Sequence, residues 1–403
     1  MRTSFSGFFA RAAGSTVLAL FSVGSAAFVS VCSTAILAQA KALVLPPVKG
    51  AVPACPLELA WALGLSSLAV MFVWLRERGL ADLTAAKEAE LASQGREMEG
   101  RLTNLPPRQF IEEYVAAIRS VGELRRLSKE EVREKKVDLE MLNSRVRAIL
   151  ASILSLTRLW DGVATANKTV VYQANVMKVL MREEISTNPA PELNFDKDGA
   201  ANDSPTEVSN SLEKWLLQFE FFLHNQSYGV AVERCSGIVF IQDAAFSATS
   251  TLDDDVPDPS IEQICLPFTY DQEYREGFHH PNLPGAPSVV AFQASEYLSN
   301  VQDFMEGWLA KQARRNPELN ERYEEGLRKY YDKLKAVKSL ISIPIFSEDR
   351  LIGVLNINKN NENMLLNADR ADLFIQLLTP ICYHLGKMLM LIEDMSFAMV
   401  QEE

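Results

Sequence analysis

The chain has 403 residues, 48% hydrophobic and 23% charged, a globular composition that excludes collagen-like or low-complexity architecture. Its formal net charge of −12 repels polyanions, so a nucleic-acid polymer is not an expected partner. The five cysteines, Cys32, Cys55, Cys235, Cys265 and Cys382, make no CxxC or Cys/His ligand spacing; no metal is expected, and the last three read as reduced, packed thiols.

Charge is unevenly distributed, sparse over residues 1–75 and dense afterwards. Residues 16–38 carry none, and at about 1.5 Å per residue a helix of that length crosses a hydrocarbon core roughly 30 Å thick. Its Gly24, Ser25, Ala26 and Ala27 are small enough to let helices approach closely. Residues 57–75 form a second apolar stretch with Glu58 at its mouth and Trp61 and Trp74 near its ends, where indoles favour the interface. Pro46, Pro47, Pro53 and Pro56 mark an extracytoplasmic turn between them. Arg2 and Arg11 precede the pair and Arg76, Arg78 and Lys87 follow it, against Lys41 and Lys49 in the loop. That bias predicts a multi-pass inner-membrane protein, residues 1–75 forming a transmembrane hairpin with both termini cytoplasmic. A signal peptide cleaved after Ala38-Gln39-Ala40 is the rival reading; under either, the second span leaves everything after Arg76 in the cytoplasm.

Residues 76–138 read as a helical linker. Leu80, Leu83, Leu91 and Met98 give a weak stripe, interrupted by Gly95, Gly100 and Pro106-Pro107. Ile111, Tyr114, Val115, Ile118 and Val121 then share one face, and Ser128-Lys129-Glu130-Glu131 matches a capping box that announces a fresh helix. The next helix carries a heptad seam, Leu139, Leu142, Val146, Ile149, Ile153, Leu156 and Trp160. Two uses of the seam stand open: packing on the following sheet, or a parallel coiled-coil dimer; Leu150 and Leu154 widen the stripe enough for both.

Residues 170–180 form a first strand and 186–210 a long Pro/Asn/Asp/Gly-rich insertion. An amphipathic helix is expected at 212–222, strands at 237–242 and 264–268, and helices at 295–311 and 317–338. Asp253-Asp254-Asp255 lacks calcium-loop spacing and reads as a solvated loop. Strands at 339–345 and 350–358, joined by the polar turn Ser347-Glu348-Asp349, make an antiparallel hairpin. Gly353 marks a close approach to the sheet by a helix or a ligand. A final helix, begun at Asn367-Ala368-Asp369, places Leu373, Leu377, Ile381, Leu385, Met388 and Ile392 down one face to cover the sheet.

The stretch SLISIPIF…DRLIGVLNINK…LLNADRADLFIQLLTPICYHLGKML resembles the closing half of a GAF domain: a Pro-containing strand, a turn, a strand with Gly-Val-Leu, and an Asp that starts the last helix. The resemblance covers roughly residues 145–390, most sharply from 339 onward, and implies a GAF-like domain over 139–395 with an α+β fold, an antiparallel sheet flanked by helices. Cyclic-nucleotide-binding members carry Asn-Lys followed by Phe-x-x-x-Asp-Glu. Asn358, Lys359 and Asp369 match that pattern, whereas Leu365 and Arg370 depart from it. The match implies a structural Lys359–Asp369 ion pair. Cys382-Tyr383-His384 does not reproduce the adjacent Cys-His of bilin-binding members, so no covalently bound chromophore is expected. His279-His280 lacks a third ligand at suitable spacing and reads as a loop pair. Phe292, Tyr297, Phe304 and Trp308 are candidate lining for a pocket between the sheet and the helical insertion, or plain core.

With no phosphate-binding Gly loop, GxSxG or HExxH, no catalytic residue is identified and no enzyme is expected. The expected function is a membrane-anchored sensor, signalling or phage-defence in kind. It binds a small molecule, a cyclic nucleotide among the candidates, and changes transmembrane-helix association as a homodimer or higher oligomer. The alternative is a ligand-free dimerisation module at the membrane.

Overall fold

The computed structural model describes residues 12–44, 57–164, 166–187, 212–224, 226–315, 321–333 and 336–402. The proline turn at 46–56, Arg2, Arg11, Lys49, Cys55 and nearly all of the 186–210 insertion lie outside them. Two compact units emerge, Met1–Thr103 and Asn104–Glu403.

The first unit contains α1 (Ala12–Val31), α2 (Ser33–Val44) and all but the last residue of α3 (Leu57–Asn104). The apolar stretch 16–38 is not one straight helix: it turns by 67° at Cys32, although the bonds from Cys32 N to Phe28 O (3.0 Å) and from Ile36 N to Cys32 O (2.9 Å) bridge the break. Gln39 spans the step from α2 to α3, donating to the Glu58 carboxylate and accepting from Leu59 N at 2.9 Å. Phe21 meets Phe72 edge-on at 5.4 Å. Gly95 and Gly100 do not interrupt α3, which runs on to the Pro106-Pro107 break.

The second unit is an α+β domain built on a curled antiparallel sheet. Its strands are β1 (Tyr172–Met181), β2 (Gly237–Ile241), β3 (Ser247–Thr249), β4 (Ile264–Phe268), β5 (Glu296–Leu298), β6 (Ser339–Ser347) and β7 (Arg350–Lys359). The order is β4-β2-β1-β7-β6-β5, with β3 also on β1. β6 and β7 form the expected hairpin, Ser347 opposite Arg350, with Glu348 at a φ of 56° in the turn.

One face of the sheet is covered by α4 (Arg108–Arg133), α5 (Leu139–Trp160) and α12 (Ala368–Glu402). The seam of α5 is consumed here: Leu142, Val146, Ile149 and Ile153 are fully buried among Phe110, Phe374, Leu378 and the strand residues Ile341, Ile343 and Ile357. The packing reading of the seam therefore holds within one chain.

Helix α4, expected as linker, packs into this core through Phe110, Tyr114, Ile118 and Val121, while Ile111 and Val115 of the expected stripe are exposed. Ser128 does not cap a new helix. It lies inside α4, and its hydroxyl bonds back to Leu124 O at 2.7 Å; the fresh helix starts ten residues later, where Asp138 accepts from Met141 N at 2.8 Å. On α12 the covering face is Phe374, Leu378, Ile381, Leu385 and Met388, with Leu373 exposed. This helix is apolar enough to cross a membrane, yet that side is spent on the sheet.

The opposite face is covered by α9 (Ala286–Phe292), α10 (Val301–Arg315) and α11 (Glu321–Lys333). Residues 296–298, expected as helix, are edge strand β5 paired to Leu340–Ser342, and the helix starts only at Val301. The amphipathic segment at 212–222 breaks at Phe219, which is extended, ahead of α7 (Glu220–Leu223); Leu212, Trp215, Leu216 and Phe222 are buried as expected, beside α8 (Tyr228–Glu233). What approaches Gly353 is the neighbouring strand and not a helix: a Cβ there would lie 2.9 Å from the backbone oxygen of Met177.

Truncating Ile153 to Ala leaves a cavity in a close-packed layer and is expected to cost about 2–5 kcal/mol, whereas Val115→Ala on the exposed side stays within about 0.5 kcal/mol. Denaturant unfolding of the detergent-solubilised chain measures both; equal effects would contradict the packing.

Candidate functional site

Strand periodicity decides what each side of the sheet can do. Tyr172, Ala174 and Val176 of β1 face the α5/α12 layer, as do Leu355 and Ile357 of β7. The alternate positions, Gln173, Asn175 and Met177 with Asn356 and Asn358, face the other layer and line a cavity of about 220 Å³. Its far walls are residues 260–264, the turn Pro284–Pro287 entering α9, and Tyr330 and Tyr331 of α11.

The floor is a ladder of amides. In register, Gln173 lies opposite Asn358, and Asn175 opposite Asn356, which faces Ser342 on β6. Ser342 Oγ donates to Asn356 Oδ1 at 2.7 Å, and Asn356 Nδ2 donates to Asn175 Oδ1 at 3.0 Å. Gln173 Nε2 donates to Asp258 Oδ2 at 2.7 Å and to Ser260 Oγ at 2.9 Å. Asn175 is 6% exposed, yet its Nδ2 has no partner among the described residues; the same holds for the Asn358 amide and the Tyr330 and Tyr331 hydroxyls. Burial raises both phenols above the usual tyrosine range, so they are neutral donors.

The roof is held by a half-buried carboxylate. Glu296 accepts from Gly285 N at 2.6 Å, and burial is the chief cause that raises its pKa. Gly285 has a φ of +89° and stands 3.1 Å, by its would-be Cβ, from Leu340; a side chain there would be strained and would crowd the floor.

The matched residues Asn358, Lys359 and Asp369 separate across the sheet. Asn358 looks into the cavity, Lys359 looks the other way, and Asp369 is exposed. The expected Lys359–Asp369 pair is not formed. Lys359 Nζ meets Asp161 Oδ2 at 2.5 Å, both side chains nearly buried. Tyr172 donates its hydroxyl to the same oxygen at 2.5 Å, and Leu365 N donates to Oδ1 at 2.8 Å. Asn367, not Asp369, caps α12, its Oδ1 accepting from Arg370 N at 2.9 Å.

Of the aromatic candidates, Phe292, Phe304 and Trp308 line an open depression on the outer side of α10, with Asp271, Glu276 and Asp303 at its rim. Trp308 Nε1 donates to Asn282 O at 3.1 Å. Tyr297 lies apart from them, its hydroxyl donating to Met364 O at 2.6 Å beside the α5/α12 layer. Sequence reasoning missed the amide ladder. Its signal is there in Gln173/Asn175 and Asn356/Asn358, polar residues at period two in otherwise apolar strands.

His279-His280 is not a simple surface pair. His280 is buried and stacks on His224 at 4.0 Å, which stacks on Tyr323 at 4.1 Å. Burial holds His224 down to about 3 and His280 well below the usual range. Cys382 is core, as expected of a packed thiol. No group of three metal-ligating side chains occurs among the described residues. No family model, curated protein or solved structure matches the chain.

Two expectations follow. Asp161→Asn leaves Lys359 buried without its counter-ion and should cost about 3–5 kcal/mol, whereas Asp369→Asn stays within about 0.5 kcal/mol; comparable unfolding free energies would refute the pairing. As pH falls below about 6.5, the unfolded chain takes up a proton at His224 that the folded chain refuses until about 3. Stability is full above that window and declines through it, by about 2 kcal/mol at pH 5 relative to pH 7.5 for this group. His224→Leu removes that share of the decline, and parallel pH profiles for the variant and the parent would rule it out.

Proposed function

We propose that this chain is a membrane-anchored sensor of GAF type, in which a cytoplasmic α+β domain binds a small molecule and alters how transmembrane helices associate. The observation that carries the reading is the cavity floored by Asn175 and Asn358 and walled by Tyr330 and Tyr331. Amide donors that open on the cavity with no protein partner are the groups a ligand would complete. The hairpin strands and the final helix follow the order that the sequence resemblance implies, which supports the GAF assignment. The apolar helices of the first unit supply the bilayer attachment. Binding shifts helix association only by the difference in affinity for the two states, so the ligand must contact an element that differs between them. Tyr330 and Tyr331 on α11 are the candidates for that contact.

Intact chain purified in mild detergent and sprayed under native conditions should retain a small molecule, or acquire one from a metabolite extract. Saturation at about a hundred times Kd should add about 2.7 kcal/mol of stability. Persistent emptiness would instead favour an interaction module. A reporter fused after Glu403 should be active only in its cytoplasmic form; the opposite result sinks the topology.

A further inference from the structure

The ligand-binding reading leaves the chemistry of the ligand open, and the cavity narrows it. We infer that the cavity selects an uncharged, planar heterocycle with adjacent donor and acceptor groups, of the nucleobase type, and rejects its phosphorylated forms. The inference rests on the sensor reading.

Size is the first argument: about 220 Å³ is below the roughly 300–1,000 Å³ typical of pockets for drug-sized ligands. Charge is the second. Among the described lining residues there is no Lys, Arg or His, and the one charged side chain is Glu262. Asp258 lies directly behind Gln173, and Glu296 directly behind Gly285. A phosphate would therefore be desolvated among carboxylates with no cation among the described lining residues to meet it. At the roof, Gly285 N is already taken by Glu296, and neither Pro284 nor Pro287 has an N–H to offer a phosphate.

Hydrogen-bonding capacity is the third argument. Asn and Gln amides present a donor and an acceptor side by side, the complement of a purine or pyrimidine edge. Here they stand fixed in register on two adjacent strands, with Asn175 Nδ2 and the Asn358 amide unclaimed. Tyr330 and Tyr331, their rings at 83° to each other, line the far side of the gap, so that one of the two can offer its face and both a hydroxyl that no described residue claims. A flat molecule seated between floor and tyrosines would bond its edge to the amides and bury its faces, as bases do on aromatic platforms.

The test is calorimetry on the full chain in detergent micelles, titrated with adenine, guanine, cytosine and uracil and with 3′,5′-cyclic AMP and cyclic GMP. At least one base should bind, and a cyclic nucleotide should bind at least about ten-fold more weakly than its own base. Asn358→Ala and Tyr331→Phe should each weaken that base at least about five-fold, with the unliganded melting temperature held within about 2 °C. A cyclic nucleotide that binds as tightly as its base overturns the inference, as does a base indifferent to both substitutions. If every probe fails while native spectra of the same preparation show a retained metabolite, the inference falls and the sensor reading stands. If that metabolite is absent too, both fall.

Discussion

Asp161 caps the C-terminal end of α5, and its carboxylate is left free to reach the sheet. From there it accepts the Tyr172 hydroxyl from the first strand, pairs with Lys359 at the end of the last strand, and accepts Leu365 N from the loop before the final helix. Two stretches of the chain, separated by 198 residues between Asp161 and Lys359, thus share one buried anion. That loop carries Asn363, Leu365 and Leu366 at positive φ, a conformation side chains rarely adopt unaided, and the Asp161 bond holds it together with those from Asn363 N to Ser299 O and from Met364 N to Ser339 Oγ. The order of the sheet and the placement of its covering helix both depend on this junction.

With α12 anchored there, one side of the sheet is sealed, and the other is free to carry polar side chains. The strand alternation then has a functional meaning. Tyr172, Ala174 and Val176 build the dry layer, and their neighbours Gln173 and Asn175 build the cavity floor. Lys359 and Asn358 are adjacent in sequence and serve opposite sides, one stabilising the domain and the other facing a prospective ligand.

Much of this was legible in the sequence. The β6–β7 hairpin and the α5 seam were readable from their local period and turn, and β2 and β4 as short, continuously buried runs. Ser128 misled because a capping box is a local pattern, and a hydroxyl already bonded one helical turn back reads the same in sequence. Asp161 was invisible because it lies 198 residues from Lys359, while Asp369, ten residues away, offered a plausible but unused charge. The aromatics drew attention as pocket lining, yet on α10 two of them, Phe304 and Trp308, line the outer depression instead of the cavity. The true floor was written in amides, and amides in strands carry no strong prior.

Helix α12 is long and apolar enough to cross a membrane, as α3 is, with a mean hydropathy of 1.3 against 1.7. During biosynthesis it is therefore a potential decoy for the insertion machinery. Its place in chain order offers protection: all seven strands precede it, so a sheet with an uncovered apolar side can await it as it emerges from the ribosome. Mutations that delay sheet formation would then send the last helix into the bilayer, a failure in sorting as well as in stability.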